Sequence, residues 1–332
     1  MKSSMWKNYF LLIVIVALMV GVMYLFQFTG WKKIKTSVSP PTLVASAIAY
    51  NKSSDYALLF GGASATYVDP EWKETWSAET WKWEDGTWEK IETKNSPPPR
   101  NIHAMAYDEN RDEIVLFGGA FDGTRLNDTW VWNGVDWVEK NPEHVPPIRC
   151  CHTLAYDPVR KGVILYAGWD GKDTFWHDTW LWNGEDWTNL PYAAPWMSGY
   201  ALVQYPPNNV LMTASMSWVL TEDGWFDSAI QSPPYRSEGG ADYGQEKIIF
   251  FGGSTDAGKM NETWMFTKDS WYKLRLPRSP SARFGHVFFY DEKRESFIMF
   301  GGADDSGYLN DTWEFELPDY ISSIATPIYL VP

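Results

Sequence analysis

The chain has 332 residues, of which 45% are hydrophobic and 17% aromatic, so it can bury a large core. It carries 28 basic and 42 acidic residues, a formal net charge of −14 at pH 7. So acidic a surface repels phosphate groups, which argues against a nucleic-acid partner. Cys150 and Cys151 are adjacent and cannot link distant segments. Two free thiols and a strained vicinal disulfide both remain open.

The amino-terminal segment predicts a membrane anchor. Phe10 to Phe28 contains no charged residue and, as a helix, covers about 28 Å, close to the roughly 30 Å of a bilayer core. The bulky residues after Met23 do not fit a signal-peptidase site. We therefore expect a tail over residues 1–7 and an uncleaved transmembrane signal anchor over residues 8–29. The protein would be a single-pass membrane protein. The layout of one short tail and one span places the rest of the chain outside the cytoplasm.

Six apolar runs follow, each ending in a glycine pair or a remnant of one, about 50 residues apart. They end at Phe60-Gly61-Gly62, Phe117-Gly118-Gly119, Tyr166-Ala167-Gly168, Met212-Thr213-Ala214, Phe251-Gly252-Gly253 and Phe300-Gly301-Gly302. A repeat of this length is typical of a propeller blade. Five of the six are followed by a triplet of an acid, threonine and tryptophan.

The unit at residues 97–140 shows the pattern of one blade most clearly. Its four apolar stretches have strand length and are separated by turns. Asn133-Gly134 is a strong signal for a tight hairpin between the third and fourth stretches. The unit therefore predicts four antiparallel strands, which make one blade.

These residues resemble the kelch repeat, whose blades carry a double glycine after the second strand and spaced aromatic residues on the third and fourth. The resemblance covers about residues 31–317 and implies an all-β, six-bladed kelch β-propeller behind the anchor. The propeller would occupy residues 30–332. Its blades would lie at about 39–92, 97–140, 146–190, 195–228, 233–275 and 279–317, with a tail over 318–332. The fourth unit is eroded, since it has lost both glycines.

The last unit lacks a fourth strand before Leu317-Pro318, so another segment must complete it. Trp31 precedes Tyr50 by the same number of residues as Trp88 precedes Tyr107. Residues 30–36 are therefore predicted to supply the closing strand of the last blade. The alternative is that Trp31 and the lysines after it mark a membrane interface.

The connections after the second and fourth strands lie on one face, and they vary most in length, so we expect binding there. The same face carries the candidate ligand-binding residues. They are Arg100, Arg149, Arg236, Arg283, Trp72, Trp76, Trp169 and Trp176. The alternative is that these arginines have a structural role. They recur beside Asp128, Asp178, Glu262 and Asp311, and the fourth unit has lost both partners, as a repeated arginine-carboxylate brace would predict.

No cofactor, metal or catalytic group is predicted. His103, His152 and His286 recur in the repeat and are expected to make contacts between blades rather than bind metal. We therefore expect a membrane-anchored kelch propeller that is a non-catalytic binding scaffold for a protein or saccharide ligand. The alternative is an epimerase-like enzyme that acts on an acidic sugar at an arginine-lined channel mouth. Whether the protein is an enzyme stays open, with the non-catalytic reading preferred.

Overall fold

The structure is a computed structural model that describes residues 30–68, 71–192, 201–205, 209–213, 216–231, 233–267, 270–317 and 325–327. All statements below concern these residues. Their regular structure is β-strand throughout.

The strands of the first half are β1 (Gly30–Ile34), β2 (Ala47–Asn51), β3 (Tyr56–Phe60), β4 (Ala63–Val68), β5 (Glu71–Trp76), β6 (Thr80–Glu84), β7 (Thr87–Ile91), β8 (Ala104–Asp108), β9 (Glu113–Phe121), β10 (Thr124–Trp132), β11 (Trp137–Lys140), β12 (Thr153–Asp157), β13 (Gly162–Trp169), β14 (Phe175–Trp182) and β15 (Trp187–Leu190). Those of the second half are β16 (Ala201–Tyr205), β17 (Asn209–Thr213), β18 (Met216–Thr221), β19 (Gly224–Gln231), β20 (Gly240–Gly244), β21 (Lys247–Phe251), β22 (Ser254–Thr255), β23 (Gly258–Lys259), β24 (Thr263–Thr267), β25 (Ser270–Leu274), β26 (Val287–Asp291), β27 (Ser296–Phe300), β28 (Ala303–Asp304), β29 (Gly307–Tyr308), β30 (Thr312–Glu316) and β31 (Ala325–Pro327).

The larger sheets stand in a ring. Five have four strands: sheet 1 (β2-β3-β6-β7), sheet 2 (β8-β9-β10-β11), sheet 3 (β12-β13-β14-β15), sheet 4 (β16-β17-β18-β19) and sheet 6 (β26-β27-β30-β1). Sheet 5 has five strands, β20-β21-β24-β25-β31. The first strands, β2, β8, β12, β16, β20 and β26, contact one another in a closed cycle around a central channel. This arrangement is a β-propeller.

The predicted fold class is wrong in the form of its blades. Only five blades have the predicted four-stranded form, because β31 pairs with β25 and gives sheet 5 an additional outer strand. The described part of the chain contains no helix. The predicted tail and anchor, residues 1–29, lie outside the described residues. In the described part no helix is long and apolar enough to span a membrane, so these residues give the predicted single-pass location no support.

Strand β1 closes the ring. It pairs antiparallel with β30, with Trp31 opposite Phe315 and Lys33 opposite Trp313. The Trp31 side chain is 3% exposed, and its ring lies 4.8 Å from that of Phe251 in sheet 5 and 5.2 Å from that of Phe315. The first described strand therefore forms the outer edge of the last sheet and packs against the sheet before it.

The sheets are joined by a repeated hydrogen bond from a tryptophan of the outer strand to a threonine of the preceding sheet. In each case the indole Nε1 donates to the threonine Oγ1. The pairs are Trp31–Thr263 (2.8 Å), Trp88–Thr312 (3.0 Å), Trp137–Thr80 (2.9 Å), Trp187–Thr129 (2.9 Å) and Trp225–Thr179 (2.9 Å). In sheet 5, the buried Nε1 of Trp271 has no partner among the described residues. We call these five contacts the Trp–Thr bonds.

The hydrophobic cores lie between neighbouring sheets. Between sheets 1 and 2, Leu58 and Phe60 share one buried cluster with Trp132 and Trp137. Equivalent clusters occupy the other interfaces. Most repeat-position tryptophans thus serve packing, since large aromatic rings dominate the energetics of such interfaces.

The glycine pairs are required by close packing between sheets. Gly61 has φ 66°, and a Cβ atom there would lie 2.6 Å from the Arg100 carbonyl oxygen and 2.8 Å from the His103 ring. Neither contact is possible for a larger residue without displacement of the next sheet. Sheet 3 accommodates Ala167 at φ 60° in the first position of its pair.

We expect Thr263→Val to destabilise the ring by about 1–3 kcal/mol, because the buried Trp31 indole N–H loses its acceptor while side-chain shape is kept. Urea unfolding measures the difference. Thr87→Val, at an exposed threonine in β7, is the matched control and should change stability by less than about 0.5 kcal/mol. A double-mutant cycle combines Thr263→Val with Trp31→Phe. If the losses of unfolding free energy from the two variants simply add, the proposed bond is contradicted.

Candidate functional site

The four predicted arginines are buried and bonded within their own sheets. Arg100 donates from Nη1 and Nη2 to Asp128 at 2.7 and 2.6 Å. Its remaining bonds go to the carbonyls of Gly118 (2.9 Å) and Pro98 (3.0 Å). Its side chain is 0% exposed. Arg149 with Asp178 and Arg283 with Asp311 repeat the two-pronged geometry.

The fourth pair is weaker. Arg236 reaches Glu262 by one bond of 3.0 Å, and its Nη1 lies 3.5 Å from the Gly252 carbonyl oxygen. Glu262 also accepts bonds from Lys273 and from the indole of Trp264. In sheet 1, where no arginine precedes, Lys90 bonds Glu79 instead at 2.7 Å.

Each carboxylate also holds the tryptophan two residues on. The indole of Trp180 donates to Asp178 at 2.7 Å, and that of Trp313 donates to Asp311 at the same distance. Burial alone would raise the pKa of Asp178, but the bond and charge of Arg149 and the Trp180 bond hold it below its usual value. The pKa of Asp311 is lowered against burial in the same way, with Arg283 as the main cause.

The structure therefore gives the arginines the geometry of the brace. Their guanidinium groups are occupied by carboxylates and carbonyls near them in the same sheet. A ligand role for Arg100, Arg149, Arg236 and Arg283 stays a prediction, because no bound ligand tests it.

The repeat histidines pack against the preceding sheet. His103, His152 and His286 meet Phe60, Phe117 and Phe251 edge to face, with ring centres 5.4–5.7 Å apart. His152 also has Nε2 3.0 Å from the Phe117 carbonyl oxygen. Burial, and then the charge of Arg149 or Arg283, lowers the pKa of His152 and His286 to about 3. Among the described residues no cluster of three metal-binding side chains occurs.

Just before the first strands, a chain of backbone hydrogen bonds rims one mouth of the channel. Ile102 N donates to Ala45 O (2.8 Å), Cys151 N to Ile102 O (3.2 Å), Ala45 N to Gly285 O (2.8 Å) and Gly285 N to Glu238 O (2.9 Å). All five residues have φ between 52° and 64°. We call them the mouth ring. The left-handed backbone is what turns each N–H toward the carbonyl of its neighbour.

The face beside the mouth ring carries the connections between second and third strands. These are long in sheets 1 to 3, where β4–β5, β9–β10 and β13–β14 are extended hairpins. They are short in sheets 5 and 6, where β22–β23 and β28–β29 have two residues per strand. On this loop-bearing face the hairpins of sheets 1 to 3 therefore project further than those of sheets 5 and 6.

Aromatic rings and one guanidinium line the long hairpins. Trp76 meets Phe121 edge to face at 5.5 Å. Trp169 stacks on Phe175 at 5.9 Å, with planes 14° apart, and the Arg125 guanidinium carbon lies 4.9 Å from the Trp169 ring centre. Phe121 and Phe175 are 38% and 48% exposed. We call these five residues the aromatic arc.

The predicted tryptophans divide between this arc and other places. Trp76 and Trp169 belong to it. The guanidinium carbon of Arg149 lies 5.3 Å from the centre of the Trp176 ring, so Trp176 packs against the brace of sheet 3. Trp72 is in β5, but its side chain lies outside the described residues.

At the end of the channel away from the mouth ring is a cavity of about 380 Å³ that the first strands of all six larger sheets line. Lys52 reaches across its rim and donates to Glu109 (2.6 Å) and Gln204 (3.0 Å), with Glu292 at 3.8 Å. In the wall, Asp242 accepts the backbone N–H groups of Tyr243 and Tyr290, each at 2.8 Å. Burial raises the pKa of Asp242 to about 6. The charged groups of Lys52 and Asp242 in this cavity thus have partners within the protein.

Comparison with known proteins shows the fold alone. No family model matches the sequence, and a search of curated proteins finds no match. Among solved structures, that of YjhT is similar, with a TM-score of 0.65 and 14% sequence identity. The similarity covers 89% of this chain and 99% of that one. The chain is a β-propeller in agreement with this neighbour.

Three members of the arc were not predicted from the sequence. Phe121 and Phe175 are exposed large apolar residues in connections, and Arg125 does not stand at the repeat position that Arg100, Arg149, Arg236 and Arg283 share. The available signal was the variable length of these connections, which pointed to the face but not to the residues.

Arg149→Ala should destabilise the protein by about 3–5 kcal/mol, because it leaves Asp178 without its partner in a largely buried place. Lys82→Ala, which removes a more exposed ion pair with Glu84, should change stability by less than about 1 kcal/mol. Chemical denaturation compares the two variants. A loss as small for Arg149→Ala as for Lys82→Ala would contradict the brace.

Stability should fall on acidification below about pH 6.5, the ordinary pKa of histidine. The folded-state pKa of His152 and His286 is about 3, so between these values the unfolded chain binds protons that the folded chain does not. Each histidine then costs up to about 1.4 kcal/mol per pH unit. Urea unfolding at pH 7.5, 5.5 and 4.5 measures the slope.

His152→Asn should reduce that slope. His144→Asn should not, because Asp186 raises the pKa of this exposed histidine, so its contribution is lost as pH rises instead. Equal slopes in the wild type and in His152→Asn would contradict the assignment.

Proposed function

We propose that this protein is a kelch-type propeller that acts as a non-catalytic binding scaffold, and that its protein or saccharide ligand contacts the aromatic arc. The kelch assignment is supported by the glycine pairs and by the roles of the acid-threonine-tryptophan triplet. The observation that carries the function is the group of neighbouring side chains from Trp76 and Phe121 to Arg125, Trp169 and Phe175, in which Phe121 and Phe175 are exposed and the other three are half-buried.

The chemistry of the arc suits such ligands. Aromatic rings present flat apolar surfaces that pack against side chains or against the C–H faces of sugar rings. Arg125 uses Nε for Cys150 (3.1 Å) and Nη1 for the Gly123 carbonyl (3.3 Å), which leaves further donor capacity for a carboxylate or hydroxyl. Trp and Arg are also the residue types that dominate binding energy in protein interfaces.

The arc belongs to a rigid frame, which favours binding. Its members sit on hairpins that continue the paired strands of sheets 1, 2 and 3, so little order must be gained when a ligand arrives. The enzymatic alternative has less support, because the arginines it requires are bonded to carboxylates within their sheets.

The test is binding of the labelled protein to a printed glycan microarray and to a phage-displayed peptide library. We expect retention on one of these probes, with Trp169→Ala and Phe175→Ala each reducing the apparent affinity at least about tenfold, as loss of a hot-spot ring does. Phe226→Ala is the matched control, since Phe226 is 50% exposed but lies in β19, outside the arc.

Binding that is unaffected by the two arc variants would overturn the assignment of the site. Absence of binding to either probe would overturn the assigned ligand classes. Recovery of a chemically altered ligand would overturn the non-catalytic role.

A further inference from the structure

The two cysteines lie side by side at the mouth ring, to which Cys151 belongs. The sulfur atoms of Cys150 and Cys151 are 3.0 Å apart, and both are free thiols. Cys150 is buried and Cys151 is exposed. Hydrogen bonds fix the backbone of both, because Cys150 N and O pair with Trp169 at 2.9 Å and Cys151 N bonds Ile102 O. The contact between the thiols is therefore built into the frame of the propeller.

A cation lies against one sulfur. Arg125 Nε is 3.1 Å from Cys150 Sγ. The hydrogen bond from Cys151, helped by the charge of Arg125, lowers the pKa of Cys150. The same bond, with the charges of Cys150 and Glu238, raises the pKa of Cys151. Of the two sulfurs, Cys150 is therefore the one that ionises first to the thiolate, the nucleophilic form of the side chain.

We propose that Cys150 and Cys151 are a reversible modification site that forms a vicinal disulfide by exchange with small disulfides of the glutathione class. Cys151, whose sulfur is the exposed one, passes its proton to the Cys150 thiolate, attacks the incoming disulfide, forms a mixed disulfide and releases one small thiolate. That thiolate takes the proton back from Cys150. The Cys150 thiolate then attacks Cys151 Sγ, forms the intramolecular bond and displaces the second small thiolate, which takes a proton from solvent. Two protein sulfurs are oxidised, and one small disulfide is reduced to two thiols.

The resulting bond is suited to reversal. Neighbouring Cα atoms are about 3.8 Å apart, whereas disulfides usually join Cα atoms about 4.4–6.8 Å apart. Strain of this kind makes a disulfide easier to reduce. Oxidation also removes the thiolate that Arg125 contacts, and Arg125 stacks on Trp169. Through Arg125, the redox state of the two cysteines is therefore connected to the aromatic arc. The formation of the disulfide itself does not depend on the proposed function.

The test equilibrates the full chain in buffers of graded ratios of reduced to oxidised glutathione, quenches with acid and measures intact mass. We expect a monomer two hydrogen atoms lighter, without bound glutathione, that reduced glutathione returns to its starting mass. Persistence of two thiols in fully oxidised glutathione would overturn the proposal. So would a disulfide-linked dimer or a glutathione adduct as the final product.

Variants separate the two sulfurs. Cys150→Ser should hold a stable glutathione adduct at Cys151, since no neighbouring thiolate displaces it, and Cys151→Ser should never lose two hydrogen atoms. Arg125→Met should slow disulfide formation at pH 7 by about twofold, since a pKa rise of about half a unit from about 7 lowers the thiolate fraction of Cys150 from about one half to about one quarter. Arg125 and Glu238 are the charged groups facing the pair, so an unchanged rate in Arg125→Met would overturn the role of the guanidinium.

Discussion

The Trp–Thr bonds are the constraint on which the ring depends. Apolar packing between sheets is strong but non-directional, so it does not by itself fix the angle at which one sheet meets the next. A buried indole N–H must find an acceptor, and the threonine of the preceding sheet is placed to accept it. The acid before that threonine holds the arginine and the tryptophan two residues on. One triplet thus orders its own sheet and positions the neighbouring one.

Sheet 4 shows what happens where the triplet is lost. Its sequence reads Met216-Ser217-Trp218, with no acid, and no arginine stands at Ser198. On the next sheet the Trp271 indole has no partner among the described residues. The joint between sheets 4 and 5 therefore relies on packing, through Val203, Phe250 and Trp271, more than the other joints do. The proposed binding hairpins, on sheets 1 to 3, lie away from this joint.

The sequence predicted those features that repeat. The register of Trp31 with Trp88 indicated an outer strand for the last sheet, and Gly30–Ile34 pairs with Thr312–Glu316. The joint loss of arginine and acid in unit four indicated the brace. Features that do not repeat could not be predicted. The sequence of β31 lacks the repeat motif, so its pairing with β25 was not expected. The contacts of Arg125 with Cys150 and of Lys52 with Gln204 join distant segments, and nothing in either local sequence indicates the other. The predicted anchor followed from apolarity alone, a local property that no contact in the described structure tests.

The position of β1 governs the order of assembly. Its partner β30 lies nearly three hundred residues later in the chain, so β1 is made before every other described strand and stays single until almost everything else has been made. Between the synthesis of β30 and its pairing with β1, the edge of β30 and the aromatic surface that Trp31 covers are open, and such edges invite pairing with other chains. Because contacts between distant parts of a chain form slowly, we expect completion of the circle to be a late step of folding.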